Sequence, residues 1–312
     1  MIKGRIVVFG ASGFVGSAVV VALETRGVDV VCIPAPRLPA TALKSAPAFV
    51  SSNPQTVNGL ADQLRGADAV INAAGNPDAS ATDERALVAA NSLVPAILAG
   101  AATAAGVPRF IHVSSAVVQG DAPILNDSPR TVPFSAYSRS KALGEQFVSS
   151  LAPESCVIYR PASVHAVDRR VTRMTAAIAR SPLATVAGSG NQPTPQALLS
   201  NVADAIAHLA TSEHQPPIIV THPWESLTTA QVLTLLGGKP PKRIPIFLAR
   251  SVVAVLRIAG RGYEPVAANA RRVEMLWFGQ KQATSWLSLD GWTPCAGQEE
   301  WKAVGQALAA QR

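Results

Sequence analysis

Two groups of residues have the types and spacing of reactive chemistry. In the first, Tyr137 and Lys141 stand four positions apart in Tyr137-Ser-Arg-Ser-Lys141, the separation that places two side chains on one helix face. An ammonium beside a phenol stabilises the phenolate and draws the tyrosine pKa down from about 10, so Tyr137 is expected to trade a proton with a hydroxyl or carbonyl. Ser115, ending an apolar run upstream, is expected to hydrogen-bond the same oxygen and steady the charge that develops there. A tyrosine and lysine at this spacing, taken alone, mark nothing more than an exposed helix face. The second group gives them meaning. Gly10-Ala-Ser12-Gly13-Phe14-Val15-Gly16 directly follows the apolar run Arg5 to Phe9 and opens a helical stretch. Gly10 permits the tight turn, Gly13 lets backbone N–H groups approach a pyrophosphate, and Gly16 lets the helix pack close to the strand, while the helix N-terminus favours the anion. Together the groups describe a dinucleotide site beside a proton-transferring tyrosine, with hydride moving to or from a nicotinamide and Lys141 free to hold the ribose.

Positioning these groups takes a regular alternation of elements, and the sequence supplies it. Strand patterns at Arg5 to Phe9, Asp29 to Ile33, Ala69 to Ala73, Arg109 to Ser114 and Cys156 to Arg160 alternate with helical stretches at Phe14 to Arg26, near Leu60, about Asp83 to Ala105 and about Ala136 to Ser150. That rhythm implies a doubly wound, Rossmann-type parallel sheet covered by helices on both faces. Past Pro161 it breaks down and prolines accumulate, so residues 1–161 read as the dinucleotide-binding domain and 162–312 as a smaller substrate-binding lobe. The lobe is expected to interleave with the main sheet: Asn201 to Ala210 is helical in pattern, and the strand-like Ile218 to Thr221 could return to the sheet.

The chain's net charge of +7 and pI near 9.7 favour anionic partners without choosing among them. Its cations are dispersed and only 5% of residues are aromatic, which argues against a nucleic-acid stacking surface. Cys32, Cys156 and Cys295 lie far apart, suggesting neither a disulfide framework nor a metal site, and a reducing cytoplasmic setting is the simplest expectation. The run from Ile244 to Gly260 is strongly apolar, but Arg250 and Arg257 interrupt it before membrane-spanning length. It could lie on a membrane surface as a basic amphipathic helix; the favoured expectation is a helix packed within the second lobe, with no membrane contact.

Where a dinucleotide site selective for NAD places an acidic residue, this chain reads Ile33-Pro-Ala-Pro-Arg37. Arg37 could pair with a 2′-phosphate, which favours NADP over NAD; it could equally be a surface residue.

Near end to end, the chain resembles the extended short-chain dehydrogenase/reductases, which include nucleotide-sugar epimerases, dehydratases and ketoreductases. The resemblance rests on GASGFVG, Asn72-Ala73-Ala74-Gly75, Asn91, Phe110-Ile-His-Val-Ser-Ser115, Tyr137-Ser-Arg-Ser-Lys141, Tyr159-Arg160-Pro161, Asn201-Val-Ala-Asp-Ala and Gly291-Trp-Thr-Pro. It implies catalytic roles for Ser115, Tyr137, Lys141 and Asn91, the last holding the active-site helix or a water. It implies cofactor contacts from the glycine turn, Ala73, Ala74, Gly75, Tyr137, Lys141 and Pro161, the last beside the nicotinamide. A nucleotide-sugar-like substrate is implied too, as is a two-fold dimer through the helices at Asp83 to Ala105 and Ala136 to Ser150.

Four departures narrow this. Ala116 and Val117 replace the Asp-Glu pair of the 4,6-dehydratases, so elimination of water is not expected. The acidic residue after the second strand is missing, Val50 to Val57 lacks the family's adenine-side Asp, and His165 stands where many sugar epimerases carry a tyrosine. The readings left open are an epimerase or oxidoreductase acting on a hydroxyl or keto carbon, a ketoreductase of a steroid- or flavonoid-like substrate, and a non-catalytic NADP-binding sensor. Arg243, Arg271 and Arg272 are candidates to meet a substrate diphosphate, each with surface arginine as the plainer reading.

Overall fold

In the computed structural model, which describes residues 4–39, 45–78, 81–261 and 264–311, the first four strands are β1 (Arg5–Phe9), β2 (Asp29–Ile33), β3 (Ala69–Asn72) and β4 (Phe110–Val113). After the short β5 (Ile124–Leu125) come β6 (Cys156–Arg160), β7 (Ser163–His165), β8 (Thr185–Ala187), β9 (Gln196–Leu198), β10 (Ile219–Thr221), β11 (Lys242–Ile244) and β12 (Lys281–Gln282). Six of them form one parallel sheet in the order β10-β6-β4-β3-β1-β2. The chain order reverses at β1, so the crevice beyond the carboxyl ends of β1 and β3 is where a ligand fits such a sheet. β10 lies beyond residue 161 yet forms an edge of this sheet beside β6.

The strands carry buried apolar residues on both faces because helices cover both. Ile6, Val8, Ile71, Ile111 and Val157 face α1 (Phe14–Thr25) and, from the C-terminal half, the helix Leu199–Thr211. Their alternates Val7, Phe9, Val70, Phe110 and Ile158 face α3 (Pro54–Leu64), which follows α2 (Ala46–Ser51), as well as α5 (Val94–Ala104) and α6 (Ala136–Leu151). A separate core around the fully buried Trp301 joins the helices Arg170–Arg180, Thr229–Gly237 and Gln298–Ala310.

Two differences from the sequence reading have physical causes. The single long helix expected at Asp83 to Ala105 is continuous but contains a π-helical turn, Ala89–Leu93, between α4 (Glu84–Val88) and α5. Pro95 has no N–H to give the Asn91 carbonyl, and a β-carbon on Gly144 of α6 would lie 2.1 Å from that oxygen, so the widened turn accommodates α6. Residues 94–99 of α5 are all buried, and α2 covers α5 so closely that a β-carbon on Gly100 would meet Val50 at 2.8 Å. Finally, the Ile246–Ala259 helix buries only Ala249 and Val253, leaving Phe247, Val255 and Ile258 more than half exposed, because its neighbours reach just one narrow stripe of it.

Candidate active site

The glycine turn follows β1 directly, and its geometry explains the residue types. Gly10 has φ +80°, and a β-carbon there would sit 2.5 Å from the Ala74 nitrogen, so the turns after β1 and β3 touch. A β-carbon on Gly16 would lie 2.0 Å from the Gly10 carbonyl oxygen, which only glycine avoids. The Gly13 N–H donates to that carbonyl at 2.9 Å, and Gly13 caps α1 without a side chain. The first-turn amides of α1 at Phe14, Val15 and Gly16 thus have no intrahelical acceptor, and no acidic residue stands in that turn to neutralise its field. Ser12 and Gly13 are exposed at the mouth, with Phe14 and Val15 half-buried behind them.

Beside this turn opens a cavity of ≈ 630 Å³ lined by Ala35, Arg37, Leu38, Ala74, Gly75 and Arg85, among others. Its size and mixed lining suit the adenosine end of a dinucleotide. The segment Val50 to Val57 passes through the end of α2 and the start of α3 and lines none of it. Neither the Arg37 nor the Arg85 guanidinium has an ion-pair or hydrogen-bond partner among the described residues.

The catalytic candidates lie past the ends of β3 and β4. Ser135 begins α6 with a reciprocal capping box through Ser138, which fixes the register of Tyr137 and Lys141 one turn apart. Lys141 is buried, and its Nζ donates to the Val113 carbonyl at 3.1 Å; a β-carbon on Gly75 would be 3.4 Å from the same Nζ. Burial pulls its pKa from 10.5 down to about 8, with Glu145 opposing.

Tyr137 is half-buried and departs from expectation: desolvation raises its pKa, and the charges and dipoles opposing that are Arg169 and the Ser115 hydroxyl rather than Lys141. The lysine's hydrogen bond to Val113 directs its ammonium toward the strand end, which is why it does not dominate the phenol. Ser115 caps the short 3-10 helix Ala116–Gln119, and Pro161 holds the turn after β6 against it by accepting the Ala116 N–H at 2.9 Å.

Asn91, in the π turn, joins two parts of the site. Its Oδ1 accepts the Asn76 N–H at 2.9 Å, and its Nδ2 donates to Ser140 Oγ at 3.0 Å, tying the turn after β3 to α6. Ala73 and Ala74 are held by their own backbone donors, to the Phe9 carbonyl at 3.0 Å and to Asn72 Oδ1 at 3.0 Å. With Oδ1 so used, the Asn72 amide faces buried His112 Nδ1 at 3.2 Å, and desolvation together with Lys141 keeps that imidazole neutral.

Several participants were not picked out from sequence. Glu145 continues the Tyr137–Lys141 stripe one turn further, a spacing that could have revealed it. Buried Arg160 donates to both its carboxylate oxygens, at 3.0 and 2.6 Å, and Ser114 Oγ donates at 2.5 Å. Arg169 stacks 4.8 Å from the Phe14 ring centre and donates to the Pro77 carbonyl at 3.4 Å, crossing between the two cofactor-side turns. No sequence signal marked it, because its neighbours come from distant segments. Arg85 in the cavity was missed for the same reason.

The proposed diphosphate ligands are scattered. Arg271 is committed to Glu274 at 3.1 Å and the Gly120 carbonyl at 2.9 Å, while Arg243 is exposed on β11 and Arg272 exposed on the helix Glu264–Phe278. His165 is a core residue, paired to Gln196 at 2.5 Å and packed on Trp301 with ring centres 5.0 Å apart; burial lowers its pKa to about 4.

Comparison with known proteins agrees with this architecture. Similar solved structures include MoeE5 in complex with UDP-glucuronic acid and NAD, at 21% identity over 99% of both chains with a TM-score of 0.66. The human epimerase family protein SDR39U1 with NADPH is 19% identical over 97% of this chain and 99% of its own, TM-score 0.66. UDP-glucuronic acid 4-epimerase from Bacillus cereus with NAD is 17% identical over 99% and 97%, TM-score 0.63. None of the curated proteins matches. At these identities the structures establish the Rossmann fold. The sequence profile matching residues 6–221 goes further: the chain belongs to the NAD-dependent epimerase/dehydratase family and is an NAD(P)-dependent enzyme of the extended short-chain dehydrogenase/reductase type.

Proposed function

We propose that the enzyme interconverts a hydroxyl and a keto carbon on a nucleotide-sugar-like substrate, with Tyr137 as acid and base, and that it prefers NADP to NAD. The observation that carries this is the arrangement on α6: buried Lys141 held by the Val113 carbonyl at 3.1 Å, one turn from half-buried Tyr137, with Ser115 at the phenol. When bound, the nicotinamide supplies the hydride acceptor or donor. Tyr137 takes the hydroxyl proton on oxidation and returns it on reduction, while Ser115 donates to the same oxygen. Buried Lys141, held by the Val113 carbonyl, holds a ribose hydroxyl. The charge of Arg169 also favours the phenolate. Asn91 keeps the α6 register against the turn after β3.

The preference for NADP rests on Arg37 and Arg85 in one cavity with no acidic residue after β2. Two guanidiniums can hold a 2′-phosphate by charge-assisted hydrogen bonds. Ala116 and Val117 after Ser115 leave no carboxylate pair for dehydration, which narrows the reaction to redox or epimerisation.

The test is turnover of a panel of UDP- and dTDP-linked sugars and ketosugars, followed by NADPH absorbance and by NMR of the sugar. Conversion by wild type that Tyr137→Phe lowers by at least about a hundredfold supports the assignment. Equal turnover by the two proteins refutes the role of Tyr137.

A further inference from the structure

The helix α10, our label for Ile246–Ala259 after the shorter helices α7 (Arg170–Arg180), α8 (Leu199–Thr211) and α9 (Thr229–Gly237), carries an apolar face that none of the described residues covers. Ala249, Val253 and Gly260 point inward, a stripe set by helical periodicity. Opposite them stand Phe247 at 74% exposure, Val255 at 65% and Ile258 at 61%, with Leu248 and Val252 on one shoulder. Monomeric surfaces carry scattered apolar side chains, but a contiguous stripe along one helix marks a contact.

The charges say with what. At 100° per residue, Arg250 and Arg257 fall together on the other shoulder of the stripe; Arg261 follows in the turn after Gly260, and all three are exposed. Arg257 is engaged by Glu274 at 2.7 Å, while Arg250 and Arg261 have no ion-pair partner among the described residues. From Ser226 to Tyr263 the sequence holds Lys239, Lys242, Arg243 and these three arginines with no Asp or Glu at all. Lys242 and Arg243 on β11, immediately before α10, are exposed. The cationic excess of the whole chain is concentrated around this one helix.

We propose that α10 docks the enzyme on an anionic lipid bilayer, its apolar face among the acyl chains near the headgroups and its arginine shoulder on lipid phosphates. An apolar stripe flanked by arginines on an exposed helix is the pattern of an interfacial helix. A second copy of the chain fits the surface less well, because two-fold pairing would bring two cation-rich, carboxylate-free segments together. The helix is 14 residues long, so it lies in the interface rather than spanning it.

The test is co-sedimentation of the full-length protein with vesicles of phosphatidylcholine alone or with about 30% phosphatidylglycerol, at low and raised salt. Phe247→Ser with Val255→Ser removes the apolar contact, and Arg250→Gln with Arg261→Gln the charge; thermal melting confirms that these surface variants fold. The expected result is binding to the anionic vesicles only, weakened by salt, and lowered at least about tenfold by either pair. No binding to anionic vesicles, or binding indifferent to the Phe247/Val255 pair, overturns the proposal. So does a dimer in light scattering that those two substitutions dissolve.

Discussion

Replacing Lys141 by methionine is predicted to stabilise the protein while abolishing its chemistry. The side chain is buried, and desolvation lowers its pKa from 10.5 to about 8. Holding that ammonium in the fold at pH 7 therefore costs about 3 kcal/mol relative to the unfolded chain. Methionine keeps the length of the aliphatic stem but loses the hydrogen bond to the Val113 carbonyl, about 1 kcal/mol. The net gain is about 2 kcal/mol at pH 7. Its pH dependence is the discriminating part. A cation with a depressed folded pKa carries its full penalty below pH 8, and the penalty fades as pH rises from about 8 toward 10.5, so wild-type stability gains on the variant across that window. Urea unfolding at pH 7 and near pH 10 gives both numbers, and turnover measures the loss of function. A Lys141→Met variant less stable than wild type at pH 7, or a gap between the two that does not narrow with rising pH, would refute the reasoning.

Arg37→Gln and Arg85→Gln should each weaken NADPH about tenfold and leave NADH nearly unchanged, read by calorimetry; equal weakening of both cofactors would remove the 2′-phosphate role. Gly16→Ala, with its β-carbon 2.0 Å from the Gly10 carbonyl oxygen, should cost about 2–4 kcal/mol in denaturant unfolding and lower cofactor affinity with it. Arg160→Met strands a buried Glu145 carboxylate and should cost about 3–5 kcal/mol, whereas Arg160→Met with Glu145→Gln recovers part of that loss. Asn91→Ala should lower kcat more than it weakens NADPH, because it frees the α6 register rather than a cofactor contact; the split of kcat against Kd decides it.

What sequence could and could not reveal follows the range of the interactions. β1, β2, β6 and the start of α6 were legible to the residue, since apolar runs, a glycine turn and a serine cap are local signals. Gly13 and Gly16 were readable for the same reason, their constraints lying at Gly10 a few residues away, and Gly10 by its place in the turn, although the close approach of Ala74 shows only in the fold. The π turn was hidden because it answers to the approach of Gly144 from another helix, though Pro95 was a local clue. Arg160 stood out in Tyr159-Arg160-Pro161 but its pairing with Glu145 did not, and Arg169 could not be told from other arginines: their partners lie on segments that meet only in the fold. The direction of the Tyr137 shift was misjudged because spacing on a helix fixes which side chains share a face, not how much water each retains. The apolar run after Ile244 looked like a core helix, and only burial residue by residue distinguishes core from exposed stripe.

The most direct test of the account is calorimetric titration of the cofactor-stripped protein with NADPH and NADH, on wild type and on Lys141→Ala. One site per chain that takes NADPH in preference to NADH, weakened by the lysine substitution, is the predicted outcome. If neither dinucleotide binds, or if the Lys141 substitution leaves the affinity untouched, then the glycine turn, the arginine-lined cavity and the catalytic helix do not form the single cofactor site described for them.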